Sequence, residues 1–168
     1  MPRGSPGVPI RLPETQLLSD FLAAYYPSDR VQLQARLGGV NPEDPNIQVS
    51  AAELRMLGVW RRYVDAVVFK PDRIILIEAN VKPDPGKISI LDVYAHLFPL
   101  TPEFAEFANL PIEKVAVWAM KDSASELIAS RHGVRVVTFT PSWITDYIAT
   151  LEPRKQRATK LELTAIPS

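Results

Sequence analysis

YVDAVVFKPDRIILIEAN, residues 63–80, places two β-type runs on either side of Lys70, Pro71, Asp72 and Arg73. Both runs are apolar and rich in β-branched residues, which fits strands that pack on a pleated surface. Pro71 suits position i+1 of a type I turn, so a four-residue loop over 70–73 is expected. In that register Phe69 faces Ile74, Val67 faces Leu76, and Asp65 faces Glu78. Asn80 falls two residues further along the same face as Glu78. A lone carboxylate in so apolar a stretch is expensive. Two facing carboxylates about 4 Å apart, at an effective dielectric of about 20, repel by roughly 4 kcal/mol. A shared proton, an intervening cationic side chain or a bridging divalent cation would each relieve that repulsion.

Working outward, ETQLLSDFLAAYY (14–26) carries Leu17, Leu18, Phe21, Leu22 and Tyr25 at helical spacing and stops at Pro27. VQLQARL (31–37) alternates Val31, Leu33, Ala35 and Leu37 with polar residues, the pattern of a half-buried strand with one apolar face. SAAELRMLGVWRRY (50–63) reads as a helix with Ser50 at its N-cap. KISILDVYAHLF (87–98) is a helix with Ile88, Leu91 and Tyr94 on one face, followed by a short helix over 103–108. Strands over 114–120 and 134–140 flank a helix that Gly133 stops, and 141–151 forms a last helix. Strands that alternate with helices call for parallel crossovers, and the hairpin adds an antiparallel pair. The expected fold is therefore α/β, a mixed central β-sheet flanked by helices.

The chain of 168 residues is long enough for one domain with its own core, expected over 14–151. Residues 1–13 form a Pro-rich extended arm, with Pro2, Pro6, Pro9 and Pro13. Residues 152–168 form a basic tail with Arg154, Lys155, Arg157 and Lys160, either solvated or in contact with phosphates or a partner subunit. The formal net charge is zero, which does not exclude a local basic face. Cysteine is absent, which excludes disulfides, thiolate metal sites and cysteine nucleophiles. Neither a membrane-length apolar run nor an apolar leader core is present, so a soluble protein of the cytoplasm is expected, with no membrane partner. His96 and His132 lack ligand spacing, and the chain has no Gly-rich phosphate loop or nucleophile elbow. Trp60, Trp118 and Trp143 sit in expected elements and read as core.

A helix, then Asp65 in RRYVDAVVF, then Glu78 in IILIEAN, then another helix, resembles the core of the PD-(D/E)xK nucleases over about residues 50–100. The resemblance implies a restriction-endonuclease-like core and metal-dependent cleavage of DNA phosphodiesters. It implies Mg²⁺ or Mn²⁺ on Asp65 and Glu78, joined by Glu53 of the first helix. Glu53 also stands at capping-box distance from Ser50, so a helix cap is the alternative. The motif's lysine position holds Asn80, whose amide can hydrogen-bond a water but cannot act as a base or cation. Lys82, on the same strand face, and Lys87, at the start of the next helix, are the candidate substitutes. RecB-like members place Gln and Tyr four apart on that helix; Tyr94 matches the Tyr, and Ile90 stands where the Gln would be. Arg61 and Arg62 are candidates for phosphate contacts beside Lys87 and Tyr94, or for ion pairs with the carboxylates. The alternative function is a catalytically inactive nuclease-fold protein. It would act as a structural component of a viral (phage) particle or other assembly, joined through its terminal arms to partners or copies of itself, or as a DNA-binding accessory protein.

Overall fold

A computed structural model describes residues 12–39, 50 and 62–151. Helix α1 spans Pro13–Tyr25, strand β1 Arg30–Leu37, β2 Arg62–Phe69, β3 Ile74–Asn80 and helix α2 Pro85–Leu97. Then come β4 at Ile112–Trp118, α3 at Ser123–Arg131 and β5 at Val134–Thr138, with a last helix, α4, over 142–151. Two 3₁₀ turns, Phe98–Leu100 and Pro102–Phe107, replace the single short helix expected over 103–108. Prolines at the start of each turn keep the chain from continuing as an α-helix. Glu53, Trp60, Arg61, most of the proposed helix over 50–63, nearly all of the N-terminal arm and the whole basic tail lie outside the described residues.

The strands form one five-stranded sheet in the order β1-β2-β3-β4-β5. β2 runs antiparallel to both of its neighbours, β1 and β3, and β4 and β5 continue parallel to β3. This is the mixed α/β sheet flanked by helices that the sequence implied. One face is covered by α2 and α3 through Ile88, Leu91, Tyr94 and Ala129. The other is covered by α1 and α4 through Leu17, Phe21, Leu22 and Ile144. β3 lies between these layers, with Ile74 and Leu76 in the first and Ile75 and Ile77 in the second. Burial on both sides explains a run apolar at every position rather than at alternate ones. Each of these side chains contributes roughly 1.5–3 kcal/mol by leaving water.

The hairpin has the expected register, Phe69 opposite Ile74 and Val67 opposite Leu76. The Lys70 N–H donates to the Arg73 carbonyl at 3.0 Å and closes the four-residue loop. Regular pairing ends at Ala66 with Ile77, one step short of Asp65 and Glu78.

The expectation of a single apolar face on β1 is corrected. Val31 packs on the α1 side, Leu33 is exposed, and Ala35 and Leu37 are buried on the α2 side. β2 makes the same exchange, with Ala66 and Val68 on the α1 side and Val64 on the α2 side. The pairing of β1 with β2 passes from Leu33 and Ala66 to Ala35 and Val64, leaving out Gln34 and Asp65. Gln34 has φ +48°, a left-handed conformation that breaks strand alternation at that point.

Candidate active site

Asp65 and Glu78 meet where the ladder opens. The Asp65 N–H donates to Glu78 Oε1 at 3.3 Å, and the Ala79 N–H donates to Asp65 Oδ2 at 3.0 Å. Each strand thus uses the other's carboxylate in place of a backbone carbonyl. The Gln34 amide donates to Asp65 Oδ1 at 3.3 Å from the opposite strand. Buried backbone groups must find partners, so the side chains are held as firmly as the strands they bridge.

Helix α2 supplies the positive charge. Asp84 caps it, its carboxylate accepting from the Gly86 N–H at 2.9 Å, and Pro85 stands in its first turn. This start directs Lys87 back over the sheet, where its Nζ lies 2.6 Å from Glu78 Oε2. Seven residues, about two turns, later Tyr94, also buried, donates its hydroxyl to the Tyr63 carbonyl at 2.6 Å. The helix that carries Lys87 is thereby tied to the strand that carries Asp65.

Glu78 is only 1% exposed. Burial, followed by the neighbouring charge of Asp65, pushes its carboxyl up to about 7 against the opposing effect of Lys87. Burial works against the Lys87 charge, yet the hydrogen bond to Glu78 and the negative charges of Glu78 and Asp65 prevail and hold its pKa above the usual lysine value. Burial also pushes Tyr94 up to about 12, with Glu78 adding to the effect, so its hydroxyl keeps its proton at neutral pH.

The other candidates are placed less centrally. Asn80 ends β3 with its Oδ1 buried and without a hydrogen-bond partner among the described residues. Lys82 lies beyond the strand, is exposed, and lines a cavity of ≈ 340 Å³ with Glu14, Asn80, Asp84 and Tyr147. Arg62 is exposed at the start of β2, near enough to Tyr94 to act on it electrostatically. Asp65 opens onto a separate cavity of ≈ 630 Å³ between α1 and β1, lined by Leu12, Thr15, Leu18, Leu33 and Gln34. No group of three or more His, Asp or Glu side chains converges as a metal cage among the described residues.

Two site features had no sequence signal. Gln34 reaches Asp65 across 31 positions, and nothing in VQLQARL marks its φ. A second polar cluster joins Asp92 to His132, whose Nδ1 lies 2.8 Å from Asp92 Oδ2, and to Lys114. Asp92 on α2, Lys114 on β4 and His132 at the end of α3 are far apart along the chain and meet because α2 and α3 pack on the same face of the sheet.

Each carboxylate oxygen at the centre accepts one hydrogen bond and retains a lone pair. Mg²⁺ keeps several waters and needs only one or two carboxylates from a protein, so Asp65 and Glu78 suit it as donors.

No protein-family model matches the chain, and no curated protein matches it. Among solved structures it is similar to a repair endonuclease from Pyrococcus abyssi, at 10% identity and a TM-score of 0.43. The match covers 80% of this chain and 50% of that one, so the chain spans about half the length of that endonuclease. A likeness this loose assigns no function.

Proposed function

We propose that the protein is a metal-dependent nuclease of the PD-(D/E)xK type acting on DNA phosphodiesters, with Asp65 and Glu78 as its metal ligands. The observation that carries this reading is the exchange of backbone hydrogen bonds between the two carboxylates at the open end of the hairpin. A fold that merely needed polar groups satisfied would keep the strands paired and avoid the repulsion. Mg²⁺ or Mn²⁺ bound there would polarise the phosphate and lower the pKa of a bound water.

The chain's own residues have distinct roles in this reading. Lys87 takes the place of the lysine that Asn80 replaces, because its ammonium already reaches Glu78 from the next helix. It lowers the cost of ionising Glu78 in a buried position and offers a positive charge for the phosphate. Tyr94 fixes the spacing between α2 and β2 through the Tyr63 carbonyl. Arg62, at the exposed strand start, is placed for a phosphate contact that positions DNA without reading its sequence.

Calorimetric titration with Mn²⁺ and Mg²⁺, with Glu78→Gln as control, tests the reading. Metal-dependent heat in the parent chain alone is the expected result, followed by cleavage of linear or branched DNA. No heat in the parent rejects it. A second reading, an inactive nuclease-fold protein, is favoured by one contact: Lys87 already supplies the positive charge that Glu78 requires. Heat without cleavage of any DNA supports a binding role, and neither heat nor DNA binding supports a purely structural one.

A further inference from the structure

We infer that Gln34 is a positioning residue for Asp65, held in a strained backbone conformation in order to present its amide to that carboxylate. Three observations converge on it. Its φ of +48° is the single positive value among the described non-glycine residues. The side chain is exposed, so packing around it does not impose that conformation. Among the described residues its amide has one hydrogen-bond partner, Asp65 Oδ1.

The strain has a geometric consequence. β1 and β2 both exchange faces at Gln34 and Asp65, and the β1–β2 pairing omits that one step. An uninterrupted β2 would carry Asp65 onto the α2 side with Val67 and Phe69, the side from which Lys87 meets Glu78 and away from the Gln34 amide. The exchange turns Asp65 into the opening between the strands, where one oxygen meets Gln34 and the other meets the Ala79 N–H. Backbone strain of this kind persists where the surroundings over-determine it, and it concentrates at functional sites. The register is the same on both sides of the interruption, Leu33 with Ala66 and Ala35 with Val64, so no inserted residue imposes the left-handed turn, and a glycine at 34 would adopt it without strain. The amide is what glycine lacks.

The purpose assigned to Asp65 rests on the nuclease reading, but the coupling of Gln34 to Asp65 does not. The test compares Gln34→Gly and Gln34→Ala in the full-length chain. Both remove the amide, and only alanine keeps the strain. Glycine is therefore expected to melt higher than alanine, the reverse of the usual order inside a strand. In Gln34→Gly the hydrogen-exchange protection of the Ala79 amide is expected to fall about tenfold while Leu76 and Val117 keep theirs. The dissociation constant for Mn²⁺ is expected to rise about tenfold in both variants, as for loss of a group that orients a ligand. Unchanged protection at Ala79, or equal melting of the two variants, overturns the assignment. If the parent takes up no Mn²⁺, the nuclease reading fails, and the Ala79 amide still decides the role of Gln34.

Discussion

The Lys87 ammonium sits 2.6 Å from Glu78 Oε2, joining a helix cation to a strand carboxylate that is 1% exposed. Lys87 itself is about one-third exposed, 33% for its side chain, so the pair is half buried: the anion is dry and the cation reaches water. That asymmetry makes Glu78 the partner that suffers when the pair is broken.

Lys87→Met should therefore destabilise the protein near pH 8, where the parent Glu78 is charged and paired and the variant must take up a proton or bury an unpaired carboxylate, at a cost of about 1.4 kcal/mol per pH unit above the parent value. Near pH 6 the loss should be smaller, because Glu78 can take up a proton. Urea unfolding at the two pH values measures the difference, and equal losses at both would show that Glu78 is not the group affected.

Glu78 also sets a pH dependence of its own. Its carboxyl is pushed from 4.5 to about 7 by burial and by Asp65. The folded state thus binds the proton more tightly than the unfolded state, and ν_N exceeds ν_U between those values. Stability from this group is fully present below the lower value and is lost as pH rises through the upper one, by about 3 kcal/mol in all. Glu78→Gln should flatten the stability profile over that window in the metal-free protein. A profile of unchanged slope would place the titration elsewhere.

Metal binding should run in the opposite direction with pH, because the ion competes with the proton on Glu78. Mn²⁺ affinity is expected to climb by up to about tenfold per pH unit below pH 7 and then level off. Asp65→Asn should abolish the uptake with a modest change in melting temperature, since the amide oxygen can still accept from the Ala79 N–H. Calorimetry across pH checks both outcomes.

Tyr94→Phe removes a hydroxyl donor and leaves the Tyr63 carbonyl without that partner. The expected cost is about 1 kcal/mol, seen in the denaturation midpoint. If DNA is cleaved, the rate should also fall, because Lys87 and Asp65 lose the strut between their elements. Loss of stability with an unaltered rate would confine Tyr94 to packing.

Asn80 and Lys87 offer a test by exchange. Lys87→Ala should reduce cleavage by at least about a hundredfold, on the scale of losing a group that stabilises developing charge. Adding Asn80→Lys to that variant should restore part of the rate, since the cavity of ≈ 340 Å³ beside Asn80 has room for a longer side chain. Activity unaffected by Lys87→Ala would remove Lys87 from the chemistry.

The register of Phe69 with Ile74 was legible because Pro71 fixes the turn and β-branched runs fix the strands on either side. The parallel strands β4 and β5 were legible because each follows a helix long enough to cross back over the sheet. The faces of β1 were misread. Val31, Leu33, Ala35 and Leu37 alternate correctly for one surface, and the rule assumes an uninterrupted pleat, which the φ of Gln34 breaks. His132 read as an isolated histidine because its partner, Asp92, lies 40 positions away on another helix.

Turn chemistry and strand periodicity act between near neighbours, and they suffice for a mixed α/β sheet with Asp65 opposite Glu78. The meeting of Lys87, rather than Lys82, with Glu78 and of Gln34 with Asp65 follows from the packed fold alone. Those contacts depend on how a helix start and an edge strand lie against the hairpin through space, and distance in space and depth of burial are not written in the spacing of residues along a chain.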